Sequence, residues 1–128
     1  MVISTNKKRA LIIEDEPIVA KVCSRVLTAN GLDVDIAPNG LIAQEYVYQN
    51  TYDLYVSDIK MPEFNGIQFY HYLEQHYPLA KTRIVFTSGD VMSNDVKIFL
   101  NNLTTVFLPK PFTPQELWET VKKILFEG

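Results

Sequence analysis

Five short apolar runs punctuate the chain, and between them apolar residues recur at helical intervals. Ala10-Leu11-Ile12-Ile13 is continuous, too short for a helix, and reads as a strand buried on both faces. Pro17 opens a helix at its favoured first position. Ile18, Val19, Val22, Cys23, Val26 and Leu27 form one apolar stripe along that helix, and Asn30-Gly31 stops it with a pair suited to a left-handed cap. Asp33 to Ala37 alternates polar and apolar residues, as a half-exposed edge strand does. Pro38-Asn39-Gly40 then turns, with Asn39 as N-cap of a second helix over Leu41 to Asn50, its inner face carrying Ala43 and Val47.

The second half repeats the alternation. Asp53 to Ser57 is a third strand, and it ends on a carboxylate, Asp58. Met61-Pro62 and then Asn65-Gly66 force a loop. A third helix carries Ile67, Phe69, Tyr70 and Leu73, and Pro78 closes it. Arg83 to Thr87 is the fourth strand, followed by the loop Ser88-Gly89-Asp90. Ser93-Asn94-Asp95 caps a fourth helix running through Val96, Phe99 and Leu100. Thr104 to Leu108 is the fifth strand, broken by Pro109-Lys110-Pro111. Thr113-Pro114-Gln115-Glu116 is a capping box, and Leu117, Val121, Ile124 and Leu125 continue the last helix. Five strands alternating with five helices predict a parallel α/β sheet, helices on both faces and right-handed crossovers. No repeat or linker interrupts residues 1–128, which read as a single domain.

Composition narrows the class. A net charge of −3 leaves no basic footprint for nucleic acid or an anionic membrane. The basic run Lys7-Lys8-Arg9 reads as a solvated lead-in to the first strand. Cys23 is the sole cysteine, so no internal disulfide can form, and its place in the helical stripe makes it a small core residue. There is no apolar leader and no run long enough to span a membrane. A cytoplasmic protein is expected. His71 and His76 lack ligand spacing and read as solvent-facing.

The residues just past each strand carry the chemistry. The first strand gives Glu14, Asp15 and Glu16, the third Asp58, the fourth Thr87 and Ser88, the fifth Lys110. A carboxylate ending a buried strand has an ordinary reading, capping a turn. Ligands in an open α/β sheet, however, bind at the carboxyl ends of the strands. In the doubly wound order 2-1-3-4-5, strands one and three are neighbours, and the acidic triplet would meet Asp58. Two unit charges about 4 Å apart repel by roughly 4 kcal/mol at an effective dielectric near 20. Lys110 offsets part of this, and a divalent cation would offset more. All-oxygen donors suit Mg²⁺ or Mn²⁺, and such a site admits phosphoryl chemistry with a carboxylate nucleophile.

Together these stretches resemble a known family. Leu11-Ile12-Ile13-Glu14-Asp15-Glu16-Pro17, Asp58-Ile59-Lys60-Met61-Pro62 with Asn65-Gly66, Phe86-Thr87-Ser88-Gly89 and Lys110-Pro111-Phe112 are similar to the receiver domain of two-component response regulators, including chemotaxis regulators. The resemblance covers about residues 8 to 126. It implies a flavodoxin-like doubly wound sheet, with its ligand crevice at the switch point between strands one and three. It implies that Asp58 accepts a phosphoryl group, that Asp15 binds Mg²⁺ directly and Glu14 through water, and that the Lys60 carbonyl is a third protein ligand. Thr87 would hydrogen-bond the phosphoryl group, Lys110 would pair with it, and the Lys110-Pro111 bond would be cis. Phe107 would be the switch aromatic. The implied partners are a histidine kinase or a histidine phosphotransfer protein, with a possible homodimer through the face of the fourth helix, fifth strand and fifth helix, around Val96, Phe99, Phe107 and Trp118. No direct nucleic acid or membrane partner is expected. Two features depart from the usual pattern: Glu14 is longer than aspartate, and Phe107 lacks a hydroxyl.

Two other classes compete. A Mg²⁺-dependent phosphatase working through an aspartyl phosphate would carry a second aspartate two residues past the nucleophile, where Lys60 stands. A flavodoxin-like cofactor binder needs a Ser/Thr/Gly-rich loop after the first strand, where Glu14-Asp15-Glu16 would repel phosphate. The phosphoacceptor switch, not an enzyme with a separate substrate, fits the residues best.

Overall fold

The computed structural model describes residues 7–61, 63–89, 93–101 and 106–126. Its strands are β1 (Arg9–Ile13), β2 (Asp33–Ala37), β3 (Leu54–Asp58), β4 (Ile84–Ser88) and β5 (Val106–Pro109). Its helices are α1 (Pro17–Ala29), α2 (Gly40–Gln49), α3 (Gly66–His76), α4 (Asn94–Asn101) and α5 (Pro114–Leu125), with a 3-10 turn at Ala80–Arg83 that the sequence did not announce. All five strands pair in parallel, in the order β2-β1-β3-β4-β5. This is the doubly wound α/β sheet expected from the alternation. Pro62, Asp90, Thr104 and Thr105, given turn or strand roles above, lie outside the described residues.

The pleat sends successive side chains to opposite faces. Leu11, Ile13, Tyr55 and Phe86 join Val47, Phe69 and Val96 of α2, α3 and α4 in one core. Ala10, Ile12, Val56 and Val85 join Cys23 and Leu27 of α1 and Leu117 and Val121 of α5 in the other. Every residue of β3 and β4 is buried, while the edge strand β2 keeps Asp33 and Ile36 exposed. Asn39 Oδ1 accepts the Ile42 N–H at 2.9 Å and caps α2. Thr113 and Glu116 form the expected box at α5, and Gly31 takes the left-handed φ of 93° after α1.

Three expectations need correction. Ile18 and Val22 are 80% and 40% exposed, and α1 turns Ala20, Cys23 and Leu27 inward instead. An apolar stripe broad enough to include Ile18 leaves the rotation of the helix open by nearly a quarter-turn, and Ala20 is too small to signal the buried side. Arg9 is no solvated lead-in. It is the first residue of β1, its guanidinium bonds Asp35 at 3.1 Å and Asn50 at 3.3 Å, and it lies over the Tyr52 ring. Val96 and Phe99 are core residues and offer no partner surface, because α4 buries them against β4 and α3. His71 and His76 are exposed, and Cys23 is buried, where desolvation pushes its thiol up to about 11.

Candidate functional site

Parallel pairing aligns the carboxyl ends of β1, β3, β4 and β5 along one edge. Glu14 follows β1, and its N–H donates to the Ala37 carbonyl at 3.0 Å, prolonging the β1–β2 ladder by one bond. Asp58 ends β3 and pairs in register with Thr87 on β4. The Ile59 N–H donates to the Thr87 carbonyl at 2.9 Å, and the Lys110 N–H donates to the Ser88 carbonyl at 3.0 Å. The ladder therefore continues past each functional residue and holds its backbone. Glu14 and Asp58 are each 5% exposed and Thr87 is 2% exposed, whereas Asp15 and Glu16 face solvent. The Lys110-Pro111 peptide is cis.

The side chains converge. Lys110 Nζ lies 2.9 Å from Glu14 Oε1, 3.2 Å from Asp58 Oδ2 and 3.6 Å from Glu16 Oε1. Carboxylate oxygens of Glu14, Asp15, Glu16 and Asp58 all lie within 4.8 Å of one another. Four carboxylates thus face one ammonium. Burial pushes the Glu14 carboxyl up to about 7, with the Asp58 charge adding to the rise and the Lys110 hydrogen bond opposing it. Burial also raises the Asp58 carboxyl, against the pull of Lys110 and of the Lys60 N–H. Burial alone would lower Lys110, but Glu14 and Asp58 more than reverse that, so it stays charged. A site this rich in carboxylate oxygen and short of positive charge matches the donor set of a hard divalent cation.

The loop after Asp58 is held from two sides. The Gly66 N–H donates to the Ile59 carbonyl at 3.0 Å. A Cβ at Gly66 would run into the Asp58 carbonyl oxygen and the Ile59 Cα, so only glycine permits this approach. Asn65 and Gln68 form a capping box at the start of α3. On the other side the Gly40 N–H donates to the Phe64 carbonyl at 3.2 Å. Farther out, the Lys60 ammonium reaches Asp95 at 3.0 Å.

Glu14, Asp15, Asp58, Thr87 and Lys110, singled out from sequence, are thus brought to one place. Phe107 stands apart from the carboxylates, half-buried on β5 opposite Phe86. Glu16 joins the cluster with the rest of the acidic triplet, as its place after the first strand implied, whereas the Lys60–Asp95 pair and the Asn65–Gln68 box were not read from the sequence. Asn65 three residues before Gln68 was a usable signal for the last of these.

The sequence pattern of the response regulator receiver domain matches residues 10–122. The chain belongs to that family. Response regulator Rre1 of Synechocystis is 32% identical over 116 residues, covering 90% of this chain and 50% of the relative. The probable transcriptional regulator ycf29 of Porphyra purpurea is 31% identical over 116 residues, covering 91% and 56%. The crystal structure of a putative response regulator from Chloroflexus aurantiacus matches with a TM-score of 0.82 at 32% identity, covering 94% of this chain and 98% of that one. This receiver domain spans about half the length of those two curated relatives, and 21% of a third, transcription factor SKN7 of Candida albicans. None of these similarities favours the phosphatase reading. Among the described residues, no helix is long and apolar enough to cross a membrane.

Proposed function

We propose that this receiver domain is a phosphoacceptor switch, with residues 1–128 acting as one unit and Asp58 as the acceptor. The observation that carries the proposal is a buried strand-end carboxylate, paired with Lys110 and set among three further carboxylates. An Asp58 oxygen attacks the phosphorus of a phosphohistidine on a histidine kinase or histidine phosphotransfer protein. An O–P bond forms, the P–N bond breaks, and its electron pair leaves with the imidazole nitrogen. Lys110 neutralises an oxygen of the transferred group, and the Thr87 hydroxyl donates to another. Glu14, Asp15, Asp58 and the Lys60 carbonyl would hold Mg²⁺ or Mn²⁺, which when bound supplies the positive charge that lets a phosphoryl anion approach. Water later cleaves the aspartyl phosphate. The protein's chemistry is therefore confined to its own loading and unloading, in the cytoplasm.

The surface supports a protein donor. Ile18 and Val22, exposed on α1, line an open pocket of about 540 Å³ with Pro111, Phe112, Glu16 and Lys110. An apolar helix of the donor resting there would place its histidine beside the carboxylates. Thr87 and Phe107 would carry the switch: phosphate draws the Thr87 hydroxyl inward, and the half-buried Phe107 ring follows. The altered face of α4, β5 and α5 would then bind a partner or a second copy through Phe107 and Trp118.

Incubation with acetyl phosphate and, separately, with a phosphate monoester tests this reading. One phosphoryl group per chain from the first and no turnover of the second are expected. Sustained release of phosphate from the monoester would favour a phosphatase instead.

A further inference from the structure

Lys60 makes contacts in two directions. Its backbone N–H supports the Asp58 carboxylate. Its ammonium lies 3.0 and 3.3 Å from the two Asp95 oxygens. Asp95 stands in the first turn of α4, where a carboxylate also suits the helix dipole. One residue therefore ties the acceptor loop to a helix on the far side of β4. That helix is short, eight residues with Val96 and Phe99 buried, and most of it faces solvent. Asp95 further lines a groove of about 520 Å³ between α3 and α4 with Ile67, Tyr70, Ile98 and Phe99.

We propose that Asp95 is a positioning residue for the Asp58 reaction: it holds the Lys60 ammonium, and an anionic phosphoryl group on Asp58 competes with it for that charge. The proposal rests on Asp58 being the acceptor. No covalent bond changes; the Lys60 ammonium exchanges one anionic partner for another. Competition is reciprocal, so capture of Lys60 by the anion frees the first turn of α4, and loss of Asp95 strengthens anion binding. Lys60 and Asp95 are 42% and 57% exposed, so water screens the pair and the effect is about two- to fivefold. A solvated pair that couples nothing is the ordinary alternative.

A mutant cycle on the intact chain decides between them. The affinity for beryllofluoride, a tetrahedral phosphoryl mimic, is measured by calorimetry at saturating Mg²⁺ for wild type, Asp95→Asn, Lys60→Met and the double variant. Lys60→Met keeps the backbone N–H and carbonyl. Asp95→Asn should tighten binding about two- to fivefold when Lys60 is present and leave it unchanged when it is methionine. The gain should shrink as salt rises. An equal change in both backgrounds, or none with Lys60 present, overturns the proposal. Failure of wild type to bind the mimic would instead overturn the acceptor reading, and this inference with it.

Discussion

Lys110 stands nearer to Glu14 than to Asp58: its ammonium is 2.9 Å from Glu14 Oε1 and 3.2 Å from Asp58 Oδ2. The methylene that distinguishes Glu14 from aspartate gives its carboxylate the reach to meet Lys110 while its other oxygen accepts the Glu16 N–H. Both side chains of the pair are shielded, 16% and 4% exposed. Removing one member of a buried pair strands the other. Lys110→Met should therefore destabilise the metal-free protein by on the order of 3 kcal/mol at pH 8. The loss should be smaller at pH 5, where the carboxylates can take up protons. Urea denaturation in EDTA at the two pH values measures both.

The raised Glu14 carboxyl sets a sign for pH dependence. Its folded value is about 7 against an ordinary 4.5, so the folded state holds this proton more tightly than the unfolded state. Its contribution to stability is fully present below 4.5 and is lost as pH rises through about 7. Asp58, also raised, acts in the same direction from its ordinary 3.8 upward. Metal-free wild type should lose more stability between pH 5 and pH 8 than Glu14→Gln does, by more than about 1 kcal/mol. Parallel denaturation curves for the two proteins across that range would contradict the assignment.

Asp15→Ala should weaken Mg²⁺ binding by on the order of tenfold or more, and by more than Glu14→Ala, because the exposed Asp15 carboxylate is the proposed direct ligand. It should also slightly raise metal-free stability, since the Asp15 charge contributes to the strain on Asp58. Calorimetric titration with Mg²⁺ checks the first point. Matching affinities for wild type and Asp15→Ala would refute the ligand role.

Gly66 begins α3, where alanine would ordinarily favour the helix. Its Cβ position is instead filled by the Asp58 carbonyl oxygen and the Ile59 backbone. Gly66→Ala should thus destabilise by about 1–3 kcal/mol, with thermal denaturation as the measure. A stabilised variant would show that the acceptor loop yields more readily than its packing indicates.

The sheet was legible because each buried strand is a largely continuous apolar run and two helices begin at caps readable in the sequence, Asn39 and Thr113. The site was legible because its residues follow strand ends, and parallel pairing carries all strand ends to one edge. Ile18 misled because periodicity gives a helix stripe without its exact rotation, and small Ala20 hid the true inner side. Arg9 misled because a basic run looks solvated until Asp35, Asn50 and Tyr52, distant in sequence, close around it. Val96 and Phe99 were apolar at helical spacing, a pattern equally suited to core or to an interface; only the packing of α4 on Phe86 and Tyr70 decides. The Lys60–Asp95 pair joins residues 35 apart and left no local signal.

The central claim is that Asp58 takes up a phosphoryl group with help from a bound divalent cation. Intact-mass measurement after incubation with acetyl phosphate tests it most directly. Wild type with Mg²⁺ should gain one phosphoryl group, while wild type in EDTA and Asp58→Asn with Mg²⁺ should gain none. Equal labelling of Asp58→Asn, or of wild type in EDTA, would contradict the account.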